Sequence, residues 1–139
     1  MADYFTNFSL VLKLDAELKR YALDLANKGS NYSTDGKIPD GFPVSLVDAL
    51  DEWSFETEES KDGICLHSQD GGVDAACEFI QHLLQKFDIQ GYIAFEWSYD
   101  CTKPRVDAFG GGAASITSTE IESMTTAEWL RSKKVNLTL

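Results

Sequence analysis

Basic residues are scarce in this sequence. Its 139 residues include 12 lysines and arginines against 23 aspartates and glutamates, giving a formal net charge of −11. Such a chain repels free nucleic acid, so we do not expect direct nucleic-acid binding. No apolar run approaches the roughly 18 residues that a membrane helix needs. The N-terminus from Met1 to Phe5 has neither the basic region nor the apolar segment of a secretion signal. We therefore expect a cytoplasmic protein.

Cysteine and histidine are also few, with three and two residues. An odd number of cysteines in a reducing compartment makes a disulfide framework unexpected. Cys65, His67, Cys77 and His82 could form a zinc site only if they converged, but Cys77 and His82 lie five positions apart on a predicted helix and point in different directions. We expect no metal and no cofactor. The expected alternative is a buried Cys77, which behaves as a small hydrophobe, and an exposed His82 near Glu78.

Hydrophobic residues make up 43% of the chain and aromatic residues 12%. This composition argues against disorder and predicts a single folded domain over residues 1–139. Apolar periodicity predicts strands at 8–14, 53–58, 64–67 and 92–99, a strand from 105 that glycines interrupt, helices at 15–28, 45–53 and 73–87, and a last helix from about 125.

Several residues are expected to bound these elements. Gly29 suits the position just past the first helix, Ser45 and Asp70 suit caps of the second and third helices, and Thr125 begins a capping box. In the last helix, Trp129 and Leu130 are the expected apolar anchors.

The order of elements is typical of an α+β fold, and we predict a ferredoxin-like antiparallel sheet packed against two main helices, with an extra short C-terminal helix. The alternative is another α+β sandwich with a different strand order.

The glycine run Gly110–Gly112 predicts a bulge or a close approach of backbones within the sheet. A phosphate-binding loop is disfavoured because the following residues read as a strand and no lysine follows the glycines.

The densest negative charge lies between Asp48 and Asp62. Trp53 and Phe55, within this stretch, are expected to point into the core, whereas strand alternation places Glu56 and Glu58 on one outward side. We therefore predict a continuous acidic ribbon that binds a protein partner, and the alternative is a merely solvated face. The predicted partner-binding residues are Asp48, Asp51, Glu52, Glu56, Glu58, Glu59 and Asp62.

The segment from Cys65 to Asp70 brings a thiol, an imidazole, a hydroxyl and a carboxylate to the end of a strand. A cysteine and a histidine can act as nucleophile and base when their geometry allows it. No third member of a catalytic set is evident in the chain, so we predict no catalytic residues. A small enzyme or small-ligand-binding domain that uses His67 and Asp70 is the alternative function.

The segment Glu96–Tyr99, together with Asp107–Ala113, resembles the closing hairpin of small acidic proteins carried by phages, plasmids and other bacterial mobile elements. Some of those proteins have ferredoxin-like folds, and many inhibit host defence enzymes, as anti-CRISPR and anti-restriction proteins do. The resemblance covers about a third of the chain and implies no catalytic residues.

The function expected from the sequence is that of a non-enzymatic inhibitor or adaptor. It would present an acidic surface, with carboxylates in place of phosphates, to a basic, nucleic-acid-binding surface of another protein. A homodimer built by pairing sheet edges is a further alternative.

Overall fold

The computed structural model describes residues 2–106 and 108–133, and these form an α+β fold with one antiparallel sheet. The predicted α+β class is confirmed. The strands are β1 Tyr4–Lys13, β2 Glu56–Ser60, β3 Gly63–Ser68, β4 Ile93–Cys101, β5 Gly110–Ile116 and β6 Ile121–Thr125, and the helices are α1 Ala16–Asp35, a 3-10 helix Val44–Glu52, α2 Val73–Lys86 and α3 Thr126–Ser132.

The six strands lie in the order β2-β3-β1-β4-β5-β6, and every neighbouring pair is antiparallel. Alternation divides each strand between two faces. On β3, Ile64 and Leu66 are fully buried in the core shared with the helices, whereas Cys65 and His67 are half-buried on the other face. That other face, here called the open face, also carries the exposed Glu96 of β4.

Helix α1 is longer than its predicted span. The Asp15 carboxylate caps its first turn by accepting a hydrogen bond from the Leu18 N–H at 2.9 Å. The predicted end at Lys28 is wrong, because the helix continues to Asp35 and ends at Gly36, whose φ is 70°. Gly29 lies inside the helix, where a Cβ atom would come within 2.2 Å of the Trp53 ring. The glycine is therefore required by packing rather than by helix termination.

The second predicted helix is a 3-10 helix, and Pro43 precedes it without a side-chain cap, so the predicted cap at Ser45 is wrong. Trp53 and Phe55 lie before β2 rather than in it. Both side chains are nevertheless buried, as predicted, with exposed fractions of 4% and 2%. They pack against Phe79 of α2 at centroid distances of 5.7 and 5.6 Å. This aromatic cluster joins the acidic segment to α2.

The predicted hairpin at Asp62–Gly63 is confirmed, because β2 pairs with β3 and the last pair before the turn is Ser60 with Gly63. Helix α2 begins at Val73 as predicted, but its N-cap is Gly72 and not Asp70. Gly72 has a φ of 77°, and a Cβ atom there would lie 2.8 Å from the Ser54 hydroxyl oxygen. The backbone needs both the left-handed conformation and the missing side chain at this position.

The C-terminal part of the sheet differs most from the prediction. Gly110–Gly112 begin β5 and do not interrupt a strand that starts at Arg105, so the predicted bulge is wrong. The predicted close approach of backbones is confirmed, since a Cβ atom on Gly111 would lie 2.2 Å from the Trp97 carbonyl oxygen. Strand β6 was not predicted at all.

Helix α3 begins with the predicted capping box. The Thr125 hydroxyl oxygen accepts a hydrogen bond from the Glu128 N–H at 3.1 Å, and the Thr125 N–H donates to the Glu128 carboxylate at 3.3 Å. The predicted apolar anchoring is wrong, because Trp129 and Leu130 are 49% and 60% exposed. The helix is held at its first turn and buries none of its residues.

Candidate partner-binding surface

All seven predicted partner-binding residues are exposed, but they belong to different elements. The 3-10 helix carries Asp48, Asp51 and Glu52. Strand β2 carries Glu56, Glu58 and Glu59, and the turn that follows β2 contains Asp62. They do not share one face of the molecule.

Strand β2 divides its own carboxylates between two faces. Glu56 and Glu58 lie together, as predicted, and flank His67 on the open face, with oxygen-to-nitrogen distances of 3.8 Å to Nδ1 and 3.6 Å to Nε2. Glu59 points the other way and pairs with Lys19 of α1 at 3.0 Å. One of the predicted carboxylates is therefore already neutralised within the chain.

The carboxylates of the 3-10 helix join others that the sequence did not single out. Asp48 and Glu52 line a groove of about 390 Å³ together with Asp74 and Glu78 of α2. These four residues are here called the acidic groove. The other described residues that line it are Ala49, Cys77 and Ile121, and none of these is basic.

Negative charge is concentrated in the acidic groove. Burial raises the pKa of the Glu78 carboxyl above its ordinary value, and the carboxylates of Asp74, Asp48 and Glu52 raise it further. Within residues 2–106 and 108–133, no ion pair involves any of the four groove carboxylates. The groove therefore presents charge that the described part of the chain does not balance.

A larger cleft of about 650 Å³ adjoins the groove and shares Glu52 and Asp74 with it. We call it the Trp97 cleft. It is bordered by the N-terminus of α2, by strands β4 and β6 and by the start of α3, and its lining includes Ser54, Asp70, Trp97, Tyr99 and Glu128.

Asp74 and Glu78 were missed because their role depends on tertiary packing. Both lie on the polar side of α2, four positions apart, which is the usual pattern of a solvated helix face. Only the packing of the 3-10 helix against α2 brings Asp48 and Glu52 beside them. One sequence signal could have indicated the groove. The segments that form the 3-10 helix and α2 both carry acidic residues, and both have apolar residues that pack into the core.

The alternative site at His67 and Asp70 is not assembled. His67 lies on the open face between two glutamates, whereas Asp70 lines the Trp97 cleft. Between them, the buried Ser68 hydroxyl accepts a hydrogen bond from the Asp70 N–H at 3.0 Å and donates one to the Ser54 carbonyl at 3.3 Å. The two residues therefore cannot act on one ligand in this arrangement.

Cys65 and His67 lie on the open face of β3, whereas Cys77 and His82 lie on α2, and no three metal-ligating side chains among the described residues are placed to hold a metal ion. Cys77 is buried, as predicted, and burial raises the pKa of its thiol to about 12, with Asp74 and Glu78 adding to the effect. The prediction of an exposed His82 is wrong. Its ring is partly buried and its Nε2 atom lies 2.6 Å from the Tyr21 hydroxyl.

The partial burial of His82 predicts a pH-dependent stability. Burial, and then the charge of Lys86, lowers the pKa of His82 below its ordinary value of 6.5. The folded state thus binds fewer protons than the unfolded state, so the stabilisation is present above that ordinary value and is lost as the pH falls through the lowered one. Urea unfolding at pH 8 and at pH 5 should show a larger loss for the wild type than for His82→Gln. Equal losses would contradict this account.

No family model matches the chain, and no curated protein sequence or solved structure shows a significant match to it. No helix among the described residues is long and apolar enough to cross a membrane.

Proposed function

We propose that this chain is a binding protein that presents unbalanced carboxylates to a basic surface of another protein. The observation that carries the proposal is the acidic groove, where two elements contribute four carboxylates and none of the described residues that line the space between them is basic. Carboxylates that lie close together repel one another, and an opposite charge beside them favours their charged form. Lysine and arginine side chains of a partner would relieve this repulsion.

The proposed mechanism is competition for a surface. A protein that binds nucleic acid carries clustered basic residues, and carboxylates on a folded domain can occupy that cluster in place of phosphates. Binding would then exclude the nucleic acid both sterically and electrostatically. Glu56 and Glu58, on the open face, would belong to a second acidic surface that is separate from the groove.

We propose further that the partner is a nucleic-acid-handling defence enzyme and that the chain inhibits it. This finer proposal depends on the resemblance of the Glu96–Ala113 region to proteins of mobile elements. The acidic groove supports binding to a basic protein but does not by itself favour one class of basic protein over another.

We also propose that β1 to β4, with α1 and α2, form a ferredoxin-like core. Their order in the chain is strand, helix, strand, strand, helix, strand, and their order in the sheet is β2-β3-β1-β4. The whole sheet differs from that fold because β5 and β6 extend it beyond β4. A fold of this kind is compatible with many functions, so it adds no weight to the binding proposal.

Affinity capture from a lysate of the native host tests the binding proposal. The tagged wild type should retain a basic protein at low salt and release it as salt rises. A groove triple variant, Asp48→Asn with Glu52→Gln and Glu78→Gln, should retain much less of that protein. The matched control triple changes Glu96→Gln, Asp100→Asn and Glu122→Gln, which are exposed acidic residues of β4 and β6 outside the groove. Retention that is lost equally with both triples, or no retention by the wild type, would contradict the proposal.

A further inference from the structure

Strand β6 forms a free edge of the sheet. Within residues 2–106 and 108–133 it pairs with β5 alone, and no strand lies on its other side. Its central residues, Glu122, Ser123 and Met124, are exposed. An edge strand of this kind presents N–H and C=O groups to which another extended segment can bond.

The hydrogen bonds at the hairpin show which residues of β6 bond to β5. The Thr117 N–H donates to the Glu120 carbonyl oxygen at 2.8 Å, so these two residues form a bonded pair. Bonded and non-bonded pairs alternate along an antiparallel ladder. Counting from the hairpin, the residues of β6 that bond to β5 are Glu122 and Met124.

The other residues of β6 direct their backbone groups toward the free edge. Thr125 is paired with Gly112, yet its N–H donates to the Glu128 carboxylate at 3.3 Å. By the same alternation, the backbone groups of Ile121 and Ser123 point away from β5. These two residues therefore offer donors and acceptors to an added strand.

The opposite edge of the sheet, β2, is less suited to strand addition. Lys19 of α1 covers it, because its Nζ atom donates to the Ser60 carbonyl oxygen at 2.8 Å and pairs with Glu59 at 3.0 Å. A lysine side chain at an edge is a usual protection against pairing with another chain. Of the two edges, β6 is the accessible one.

The cavities beside β6 define the chemistry of the segment that fits its edge. Ile121 lines the acidic groove, and Ser123 and Thr125 line the Trp97 cleft. Every second side chain of an added strand lies on the same face of the sheet as these residues and so projects toward the two cavities. None of the described residues that line either cavity is basic. Charge complementarity therefore favours a segment with a basic residue at every second position.

We propose that β6 binds an extended segment of the basic partner as an additional strand, with alternate lysine or arginine side chains over the acidic groove and the Trp97 cleft. This inference rests on the proposed function and specifies how the partner binds. The groove attracts basic residues in general, whereas backbone hydrogen bonds to Ile121 and Ser123 select an extended segment. The alternation of basic residues then sets its register.

Two peptides of equal charge provide the direct probe. One is a capped hexapeptide that alternates lysine with threonine, a residue that favours strands, and the other is its isomer with the lysines in one block and the threonines in another. In titrations followed by NMR at low salt, the wild type should bind the alternating peptide about threefold or more tightly than the block isomer.

Backbone amide hydrogen exchange locates the bound peptide. Saturation with the alternating peptide should slow exchange of the Ser123 amide by about fivefold or more, because this group would donate to the added strand. The Met124 amide, which is directed toward β5, is the internal reference and should change by less than about twofold.

Two substitutions at Ser123 separate the backbone from the side chain. Ser123→Pro removes the outward N–H, whereas Ser123→Ala keeps it, and both remove the same hydroxyl group. Ser123→Pro should bind the alternating peptide about fivefold or more weakly than Ser123→Ala does. Thermal unfolding shows whether each variant is folded, and the exchange measurement on the wild type tests the proposal independently of either variant.

The outcomes separate this inference from the proposed function. Equal binding of the two peptides, or an unprotected Ser123 amide at saturation, would overturn strand addition while leaving the acidic groove as a binding surface. A Ser123 amide that is already protected in the free protein would also overturn it. Such protection would come from a second copy if it rises with protein concentration, and from the chain itself if it does not. Failure of the wild type to bind either peptide at low salt would overturn both proposals.

Discussion

Replacing Gly29 with alanine should lower the free energy of unfolding by about 2–3 kcal/mol. In most helix interiors this substitution stabilises by about 1 kcal/mol, because alanine has the higher helix propensity. Here the added Cβ atom would lie 2.2 Å from the Trp53 ring, and that ring is 4% exposed and packed between α1 and α2. The clash reverses the usual sign, and chemical denaturation measures the difference.

Two further variants test the cause of this effect. Ser30→Ala, at the next and exposed position of α1, should be neutral or slightly stabilising. Combining Gly29→Ala with Trp53→Phe should recover part of the loss, because the smaller ring withdraws from the new methyl group. The change also removes a buried indole N–H that has no hydrogen-bond partner among the described residues. A Gly29→Ala variant as stable as the wild type would show that Trp53 does not pack against the helix in this way.

Binding to the captured partner should weaken strongly with salt. The groove carboxylates are exposed or half-buried, so dissolved ions screen their attraction for a basic surface. Raising the salt concentration from about 0.05 M to about 0.5 M should lower the affinity by about tenfold or more, chiefly through a slower association rate. Stopped-flow or surface-based kinetics at several salt concentrations measure both constants.

An affinity that does not change over this range would mean that the interface is apolar. The exposed apolar residues of α3, Trp129 and Leu130, would then be the surface to examine. The groove triple variant serves as a control in the same series, because its association rate should depend less on salt than that of the wild type.

Local patterns predicted most of the core elements because each signal came from within the element. The alternation of β3 and the apolar stripe of α2 depend only on which residues face the core, and both elements were placed within two residues of their observed bounds. Gly29 was misinterpreted because a glycine after an apolar helix usually marks its end. Its actual role is set by Trp53, which is distant in sequence.

Strand β6 and the acidic groove were missed for related reasons. The edge strand Ile121–Thr125 is mostly exposed, so it lacks the apolar alternation that identifies a buried strand. Charge density was sufficient to single out Asp48 and Glu52. Their convergence with Asp74 and Glu78 depends on the packing of two helices, which no spacing within either segment reveals. The pairing of Glu59 with Lys19 is hidden from the sequence in the same way.

The affinity of the captured partner for three forms of the protein tests the role of the acidic groove most directly. At about 0.05 M salt, the groove triple variant should bind about tenfold more weakly than the wild type, whereas the control triple variant should remain within about twofold of it. Both variants remove three negative charges, so a difference between their affinities reports where on the protein those charges lie. Equal affinities for the two variants would contradict the assignment of binding to the groove.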